Sequence, residues 1–448
     1  MDAFVITGGK PLHGSVRVNG SKNATLPLLA AALLTDRPLT LRDVPELADI
    51  ANMLRLLERL GCRVERDRAE RTVTLTVEDT EPRTAPYDIV RTMRASVCTL
   101  GPMLARRGEA RIAMPGGCAI GDRPIDLHLR GLEALGAELS LDSGDVVARV
   151  PASGRLRGST LFLGGPFGPT VLGTANIMSA ATLAEGRTVI ESAACEPEVA
   201  DLAKLLNAMG ARIAGAGTPR IVVEGVESLD GADHTVIPDR IEAGTYVLAA
   251  AITNSTLTLT NFPHDAMLAP LDHFDRIGVH VTSRADEGDA GGGDASDPMR
   301  RTVEVASDRV LNPARVTTQP HPGFPTDLQA QTMALLCLAH GNSVVTERIY
   351  EQRFLHVAEL TRMGAQLHRQ GPTVVATGVN ELVGAPVMAS DLRASASLVL
   401  AGLAARGTTS IRRVYHLDRG YERMDEQLAA LGADIQRVDD ATLDDGQG

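Results

Sequence analysis

A cysteine and an arginine, Cys118 and Arg123, sit in a run that neither helix nor strand periodicity can absorb: Pro115-Gly116-Gly117-Cys118-Ala119-Ile120-Gly121-Asp122-Arg123-Pro124. Its glycines tolerate unusual backbone angles and its prolines stiffen both ends, so the stretch reads as a mobile lid. A thiol beside a guanidinium and a carboxylate is one whose pKa can be tuned. Taken alone, the same loop suits a structural turn with an incidental cysteine, and the rest of the chain has to decide.

The other residues that could do chemistry fall in a pattern. Lys22 precedes a helix rich in small residues, Arg94 starts a second, Asp327 a third, and Asp391 with Arg393 a fourth. Loops that follow strands add Glu351 and Arg353, then Asp418, Arg419 and Arg423. Helix starts carry unpaired N–H groups and the positive end of the dipole, which suit anions. If such starts from two halves of the chain face one cleft, a dense cationic pocket with a few carboxylates results, fitted to a small, multiply anionic substrate. Residue by residue, plainer readings stay open: Asp327 and Asp391 as helix-initiating carboxylates, Arg353 and Arg423 as solvated surface charges. Only three of the 44 basic residues are lysines, at 10, 22 and 204. A lysine at a helix start in such an arginine-rich chain suggests a use for a compact ammonium.

The elements that must position these groups repeat. An amphipathic helix ending in Leu, Met or Ile, then Gly, then a strand occurs six times, with the glycines at 61, 136, 210, 278, 364 and 432. The spacings of 75, 74, 68, 86 and 68 residues define a unit of subdomain size. Each unit holds a second helix of Ala, Ser, Thr and Leu, expected over 23–34, 94–105, 174–184, 241–251, 327–339 and 392–405, and buried on most sides. A β-branched strand follows each. The fold class is therefore α/β, six repeats of a two-helix strand-helix unit, three to a half, with helices enclosed by sheets. The halves divide near Thr235–Arg240. The Gly- and Asp-rich stretch 285–298 accounts for the 86-residue spacing as an inserted disordered loop, and the acidic tail from Asp439 is likewise expected to be disordered.

Bulk composition narrows the function classes. With 448 residues, 44% hydrophobic and 22% charged, the chain is expected to be a soluble protein of two or more domains. The start Met1-Asp2-Ala3-Phe4-Val5-Ile6-Thr7 lacks a basic then apolar pattern, so a cytoplasmic location is expected, with no membrane partner. A net charge of −12 and 3% aromatics argue against nucleic acid as a partner. Five scattered cysteines without CxxC spacing argue against a disulfide framework or a metal site. A monomer or weak oligomer is the expectation.

Several long motifs in order resemble the UDP-N-acetylglucosamine enolpyruvyl transferases. They are Gly20-Ser21-Lys22-Asn23-Ala24, Arg91-Thr92-Met93-Arg94-Ala95-Ser96, Pro115 through Pro124, Phe324-Pro325-Thr326-Asp327-Leu328-Gln329-Ala330-Gln331, Asp391-Leu392-Arg393-Ala394-Ser395-Ala396-Ser397 and Asp418-Arg419-Gly420-Tyr421-Glu422-Arg423. The resemblance implies a two-domain inside-out α/β barrel with a cleft that closes on substrate. It implies domains at 21–237 and at 1–20 with 238–448, because the first strand belongs to the second domain.

The implied reaction adds the sugar 3-hydroxyl to the central carbon of phosphoenolpyruvate and eliminates phosphate, the first committed step of peptidoglycan synthesis. It needs a general acid and a general base on opposite sides of the new bond. The matching positions make Cys118 the acid and Asp327 the base. Lys22, Asn23, Arg94, Arg123, Arg393 and Arg419 match phosphoenolpyruvate-binding positions. Arg94, Arg123, Pro124, Ile125, Asp126, Leu127, Asp327 and Ile349 match those around UDP-N-acetylglucosamine, with Asp391, Glu351 and Arg353 in support. No cofactor and no metal are implied. One segment departs: where the family pattern carries a lysine that contacts the diphosphate, this chain reads Gly168-Pro169-Thr170-Val171-Leu172-Gly173-Thr174. The rivals are a 5-enolpyruvylshikimate-3-phosphate synthase, disfavoured by Cys118, and a non-catalytic nucleotide-sugar-binding paralogue, disfavoured by an intact acid and base pair.

Overall fold

The computed structural model describes residues 1–114, 125–284 and 297–443. Cys118, Arg123 and Pro124 lie outside the described residues, as do positions 285–296 of the expected insertion.

One repeat shows how the sequence builds all six. Strand Thr84–Ala85 leads into a helical run, Arg94–Thr99 as 3₁₀ and Leu100–Arg107 as α, and the chain returns as strand Glu109–Ala113, parallel to the first. The amphipathic helix Asp126–Ala134 follows, then the antiparallel hairpin Glu138–Asp142 and Asp145–Arg149, whose second strand pairs with Glu109–Ala113. The same order of one parallel pair and two antiparallel pairs recurs in six four-stranded sheets among the described residues. The hairpin's return strand is what the bare helix-Gly-strand signature leaves out. All six helix-ending glycines adopt φ between 87° and 102°, the left-handed conformation that an L side chain reaches only at a cost of about 1–2 kcal/mol.

The chain divides into two compact units. The described residues of one fall within Met1–Asn19 and Pro238–Gly448, those of the other within Gly20–Cys118 and Asp122–Ile237. In each, a four-stranded sheet is completed by a strand distant in sequence. In the first, Asp2–Thr7 lies between Thr408–Arg412 and Asp434–Asp439, and Ser15–Arg17 runs parallel to Leu257–Phe262. In the second, Ala232–Thr235 runs parallel to Leu39–Arg42.

Small residues explain the helices at the centre of each unit. Every residue of Arg240–Ile252 is buried, and this helix packs on Gln329–Leu336 and Leu392–Ala404, which also pack on each other. In the other unit, Lys22–Ala31 and Leu100–Arg107 both pack on Val171–Ala181. A Cβ at Gly101 would sit 2.4 Å from the Asn176 carbonyl oxygen, so only glycine lets those two helices approach. Strands around them alternate in burial, as in Thr72–Val77. The result is helices inside and sheets outside, the α/β arrangement expected of six such units. Each fully buried leucine, such as Leu28, Leu29 and Leu33 behind Lys22, contributes about 2 kcal/mol, so the helix start that carries the lysine is held from behind.

Two expectations change. The second buried helix begins as 3₁₀ over Arg94–Thr99; Pro102, lacking an N–H, sits in the first turn of the α segment, where no intrahelical donor is required. The acidic tail is ordered further than expected: Asp439 closes a strand opposite Asp2 and accepts a hydrogen bond from the Met1 ammonium at 3.3 Å, and Asp440–Leu443 forms a 3₁₀ turn. The insertion falls where the repeat tolerates it, joining Val279–Ser283 to Arg301–Ser307, two strands that pair directly.

Candidate active site

In the unit spanning residues 20–237, Lys22 is the first residue of its helix, capped by the Ser21 hydroxyl, which accepts a hydrogen bond from the Ala24 N–H at 3.3 Å. Its ammonium pairs with Asp49 at 3.0 Å, a carboxylate only 3% exposed in the first turn of helix Ala48–Arg59. Sequence reasoning missed Asp49, because a carboxylate in a first helical turn needs no further explanation than the dipole. Asn23 follows, half-buried, and Arg94 is half-buried at its own helix start.

Ile125, Asp126 and Leu127 lead into helix Asp126–Ala134, with Ile125 buried, Asp126 exposed and Leu127 half-buried. They come together with the departing segment. The Leu127 side chain is 3.1 Å from where a Cβ on Gly165 would stand, and Arg130 Nη2 donates to the carbonyls of Phe162 (2.9 Å) and Gly164 (2.8 Å). Gly164–Gly165 pairs with Gly168–Pro169 in a short hairpin that hands over to Thr170, the N-cap of helix Val171–Ala181. The Thr170 hydroxyl accepts from Gly173 N at 3.2 Å and keeps its own proton to donate. Where the family pattern has a lysine, this chain therefore has a hydroxyl and a helix start, with the Arg130 guanidinium of helix Asp126–Ala134 bonded to the Gly164 carbonyl of the hairpin.

Behind these residues His128 is buried. Asn176 spends both amide hydrogens, on Val97 O (3.1 Å) and on His128 Nδ1 (3.1 Å), while its carbonyl accepts from Gly101 N at 2.6 Å. This network assigns Nδ1 as an acceptor and the imidazole as neutral. Burial, and secondarily the Arg94 charge, lower its pKa to about 3. The unfolded chain binds this proton below about pH 6.5 and the folded one does not, so the stability it confers is full above pH 6.5 and is lost as pH falls toward 3. At about 1.4 kcal/mol per pH unit, urea unfolding should report about 2 kcal/mol less stability at pH 5 than at pH 6.5 from this group. His128→Asn, which keeps an acceptor but no titration, should flatten that slope; equal slopes in the two proteins would remove the assignment.

In the other unit the strongest cluster surrounds Asp327. It lies in the 3₁₀ turn Thr326–Leu328 that opens helix Gln329–Leu336 and is a quarter exposed. Arg353 Nη1 donates to Oδ1 at 2.7 Å and Arg393 Nη2 to Oδ2 at 3.0 Å. Gln331, four residues on, donates to the Asp327 carbonyl (2.9 Å) and reaches the Tyr421 hydroxyl (3.1 Å). Arg393 is 2% exposed, with its guanidinium 5.4 Å from the centre of the Tyr421 ring. Burial pulls its pKa down, but Asp327, Tyr421 and Asp239 more than offset this and raise it above the ordinary value, so it stays charged. Its Nε and Nη1 are buried and make no hydrogen bond among the described residues. Arg353 follows the same logic: burial lowers its pKa, while Asp327 and Asp391 raise it further. It is a buried cation, not a solvated one.

Asp391 does act as a helix-initiating carboxylate, accepting from Arg393 N (2.9 Å) and Ala394 N (3.1 Å). Its charge still reaches Arg353, His356 and His416. Arg419 is half-buried at the end of the 3₁₀ helix Val414–Arg419. Its charge acts on His416, whose pKa is lowered first by burial, then by Arg413 and Arg419. Asp418 instead forms a two-point pair with Arg437 at 2.7 and 3.0 Å, and Arg423 is exposed. Glu351 is exposed as well, while Ile349 is half-buried with its N–H given to Glu347 at 2.7 Å. Glu347, fully buried, is the carboxylate of this loop that sequence reasoning missed. The signal was present: the alternation of Ser343 and Val345 along the strand puts Glu347 on the buried face.

Among the described residues no group of three or more His, Cys, Asp or Glu could hold a metal ion, and no helix is long and apolar enough to cross a membrane. The chemistry on display is that of carboxylates and cations: one carboxylate with both oxygens oriented by guanidiniums, and helix starts bearing Lys22, Arg94 and Arg393.

Comparison with known proteins agrees with this chemistry. Residues 6–428 match the model of the EPSP synthase (3-phosphoshikimate 1-carboxyvinyltransferase) family. The UDP-N-acetylglucosamine 1-carboxyvinyltransferase of Anaeromyxobacter sp. (strain Fw109-5) is 52% identical over 438 residues, covering 98% of this chain and 99% of that protein. The enzyme of the same name from Nitratidesulfovibrio vulgaris (strain DP4) is 51% identical with the same coverage. Among solved structures, the enolpyruvyl transferase NikO from Streptomyces tendae superposes with a TM-score of 0.85 at 26% identity, covering 98% of this chain and 99% of that one. An EPSP synthase from Acinetobacter baumannii, 19% identical, shares the fold with a TM-score of 0.76 over 98% of this chain and all of the other.

Proposed function

The chain belongs to the EPSP synthase family and, within it, to the UDP-N-acetylglucosamine 1-carboxyvinyltransferases, and from that premise we propose how its residues carry the reaction. The enzyme transfers the enolpyruvyl group of phosphoenolpyruvate to the 3-hydroxyl of UDP-N-acetylglucosamine and releases phosphate. Asp327 takes the proton of the sugar hydroxyl as its oxygen bonds to the central carbon of phosphoenolpyruvate. Cys118 delivers a proton to the methylene carbon. The methylene carbon is then a methyl group, and loss of phosphate from the central carbon together with one proton from that methyl restores the double bond.

What supports this reading is Asp327 held between Arg353 and Arg393. Two guanidinium hydrogen bonds, one to each oxygen, fix the direction in which this carboxylate faces a substrate hydroxyl. Lys22, Asn23, Arg94, Arg123, Arg393 and Arg419 hold the phosphate and carboxylate of phosphoenolpyruvate. Fixed cations of this kind stabilise charge that changes during addition without reorganising. The buried Nε and Nη1 of Arg393 carry three N–H donors suited to such an anion. Ile125, Asp126, Leu127 and Ile349, with Pro124, contact the nucleotide sugar, and the Thr170 hydroxyl with Arg130 serves the diphosphate in place of the family's lysine.

The test is phosphate release by the purified protein. Release from phosphoenolpyruvate is expected when UDP-N-acetylglucosamine is present and not without it. Release with shikimate 3-phosphate instead would assign the rival synthase activity, and release with neither would favour the binding-only paralogue.

A further inference from the structure

Glu347 stands at the end of strand Asn342–Thr346 with no exposed surface. Burying a carboxylate is costly unless its oxygens are satisfied. No cation pairs with it among the described residues; four neutral donors do the work. The Thr318 hydroxyl (2.8 Å), Ile349 N–H (2.7 Å) and Tyr350 N–H (2.9 Å) all reach Oε1. Oε2 takes only the Thr326 hydroxyl, at 2.8 Å.

That last contact has a direction. The Thr326 hydroxyl gives its one proton to Glu347 Oε2, so a hydroxyl lone pair faces the other way. Arg353 Nη1 donates to that lone pair at 3.0 Å, and the same nitrogen donates to Asp327 Oδ1 at 2.7 Å. A continuous relay of polarity therefore runs from Glu347 through Thr326 to the guanidinium that orients Asp327. On its other oxygen the same carboxylate fixes the backbone of Ile349 and Tyr350.

We infer that Glu347 is a positioning residue for the reaction: by setting the direction of the Thr326 hydroxyl it seats Arg353 against Asp327, and it shapes the Ile349 loop with its second oxygen. The inference rests on the reading of Asp327 as the base. Glu347 itself acts only through its neighbours.

The two oxygens can be separated by experiment. Glu347→Gln keeps an oxygen for the three donors at Oε1 but presents an amide N–H₂ to Thr326, which reverses the hydroxyl and sets it against Arg353. The expected result is a kcat about tenfold lower with both KM values within about twofold of wild type. Thr326→Val, which cuts the relay at its middle, should lose kcat to a similar extent, and the double variant should lose no more than the larger single loss. A crystal structure of Glu347→Gln should show Arg353 Nη1 beyond hydrogen-bond distance of Asp327 Oδ1. An unchanged kcat per active site, losses that multiply in the double variant, or Arg353 still seated would each overturn the inference. If wild-type protein releases no phosphate under the assay above, the reaction assignment fails on its own, and the position of Arg353 in the variant structure still decides whether Glu347 seats it.

Discussion

Asp327→Asn is expected to lower kcat by about 10²- to 10⁴-fold if this residue is the positioned general base, with smaller changes in the KM values. Asparagine keeps the size of the side chain and one acceptor oxygen, so it can hold one of Arg353 and Arg393 but turns an N–H₂ toward the other. Two effects could produce a loss, and they separate. If Asp327 abstracts the hydroxyl proton, the limb of the kcat–pH profile that reports the base disappears in the variant. If it only anchors the two arginines, the limb survives and kcat falls at every pH alike. Folding stability supplies a second readout. Arg393 is 2% exposed and Arg353 is buried. Removing the partner of a buried charge costs about 3–5 kcal/mol, an upper figure here because Asp327 is a quarter exposed. A variant that retains kcat within about threefold removes the base assignment whatever its stability.

The repeats were legible because their signal is local and physical. A glycine that must adopt the left-handed conformation leaves one residue type at each of six helix ends, and Gly61 through Gly432 all adopt it. Buried helices announce themselves by composition, since Ala, Ser, Thr and Gly allow approaches such as that of Gly101 to Asn176. What sequence patterns leave out is pairing across distance. Asp49 carries nothing locally to mark it as the partner of Lys22, and Asn176 carries nothing to mark it as the group that fixes His128. The same holds for closing strands: family resemblance implied only that the first strand belongs to the second domain, not that Asp2–Thr7 pairs with Asp434–Asp439, and the order extending to Leu443 depends on contacts such as Arg412 to Asp440 at 3.2 Å that no tail composition reveals. Glu347 is the intermediate case. Its position on the buried side of an alternating strand was readable, but a buried carboxylate is rare enough that a loop charge is the default reading.

Fosfomycin, an epoxide that alkylates the matching family thiol, is expected to abolish activity at one modified cysteine per chain, and the other cysteines sharpen that expectation. The thiolate is the nucleophile, so selectivity follows the environments of the five sulfurs. Cys62, Cys98 and Cys337 are buried, and burial pushes each up to about 12. Cys195 is partly accessible, yet burial and then the Glu196 charge raise it as well. At neutral pH these four are held as thiols, and three of them are also shielded. Cys118 differs by its neighbours in sequence, Asp122 and Arg123 within a Gly-rich run, where a guanidinium can favour the anion. Peptide mass mapping after treatment should therefore find the adduct on the Cys118 peptide, and Cys118→Ser should remain unmodified under the same exposure. Adducts on Cys195 would mean that accessibility, not thiolate character, governs the reaction. Full activity with Cys118 modified would leave the proton to the methylene carbon without its donor and would return the loop to a structural turn.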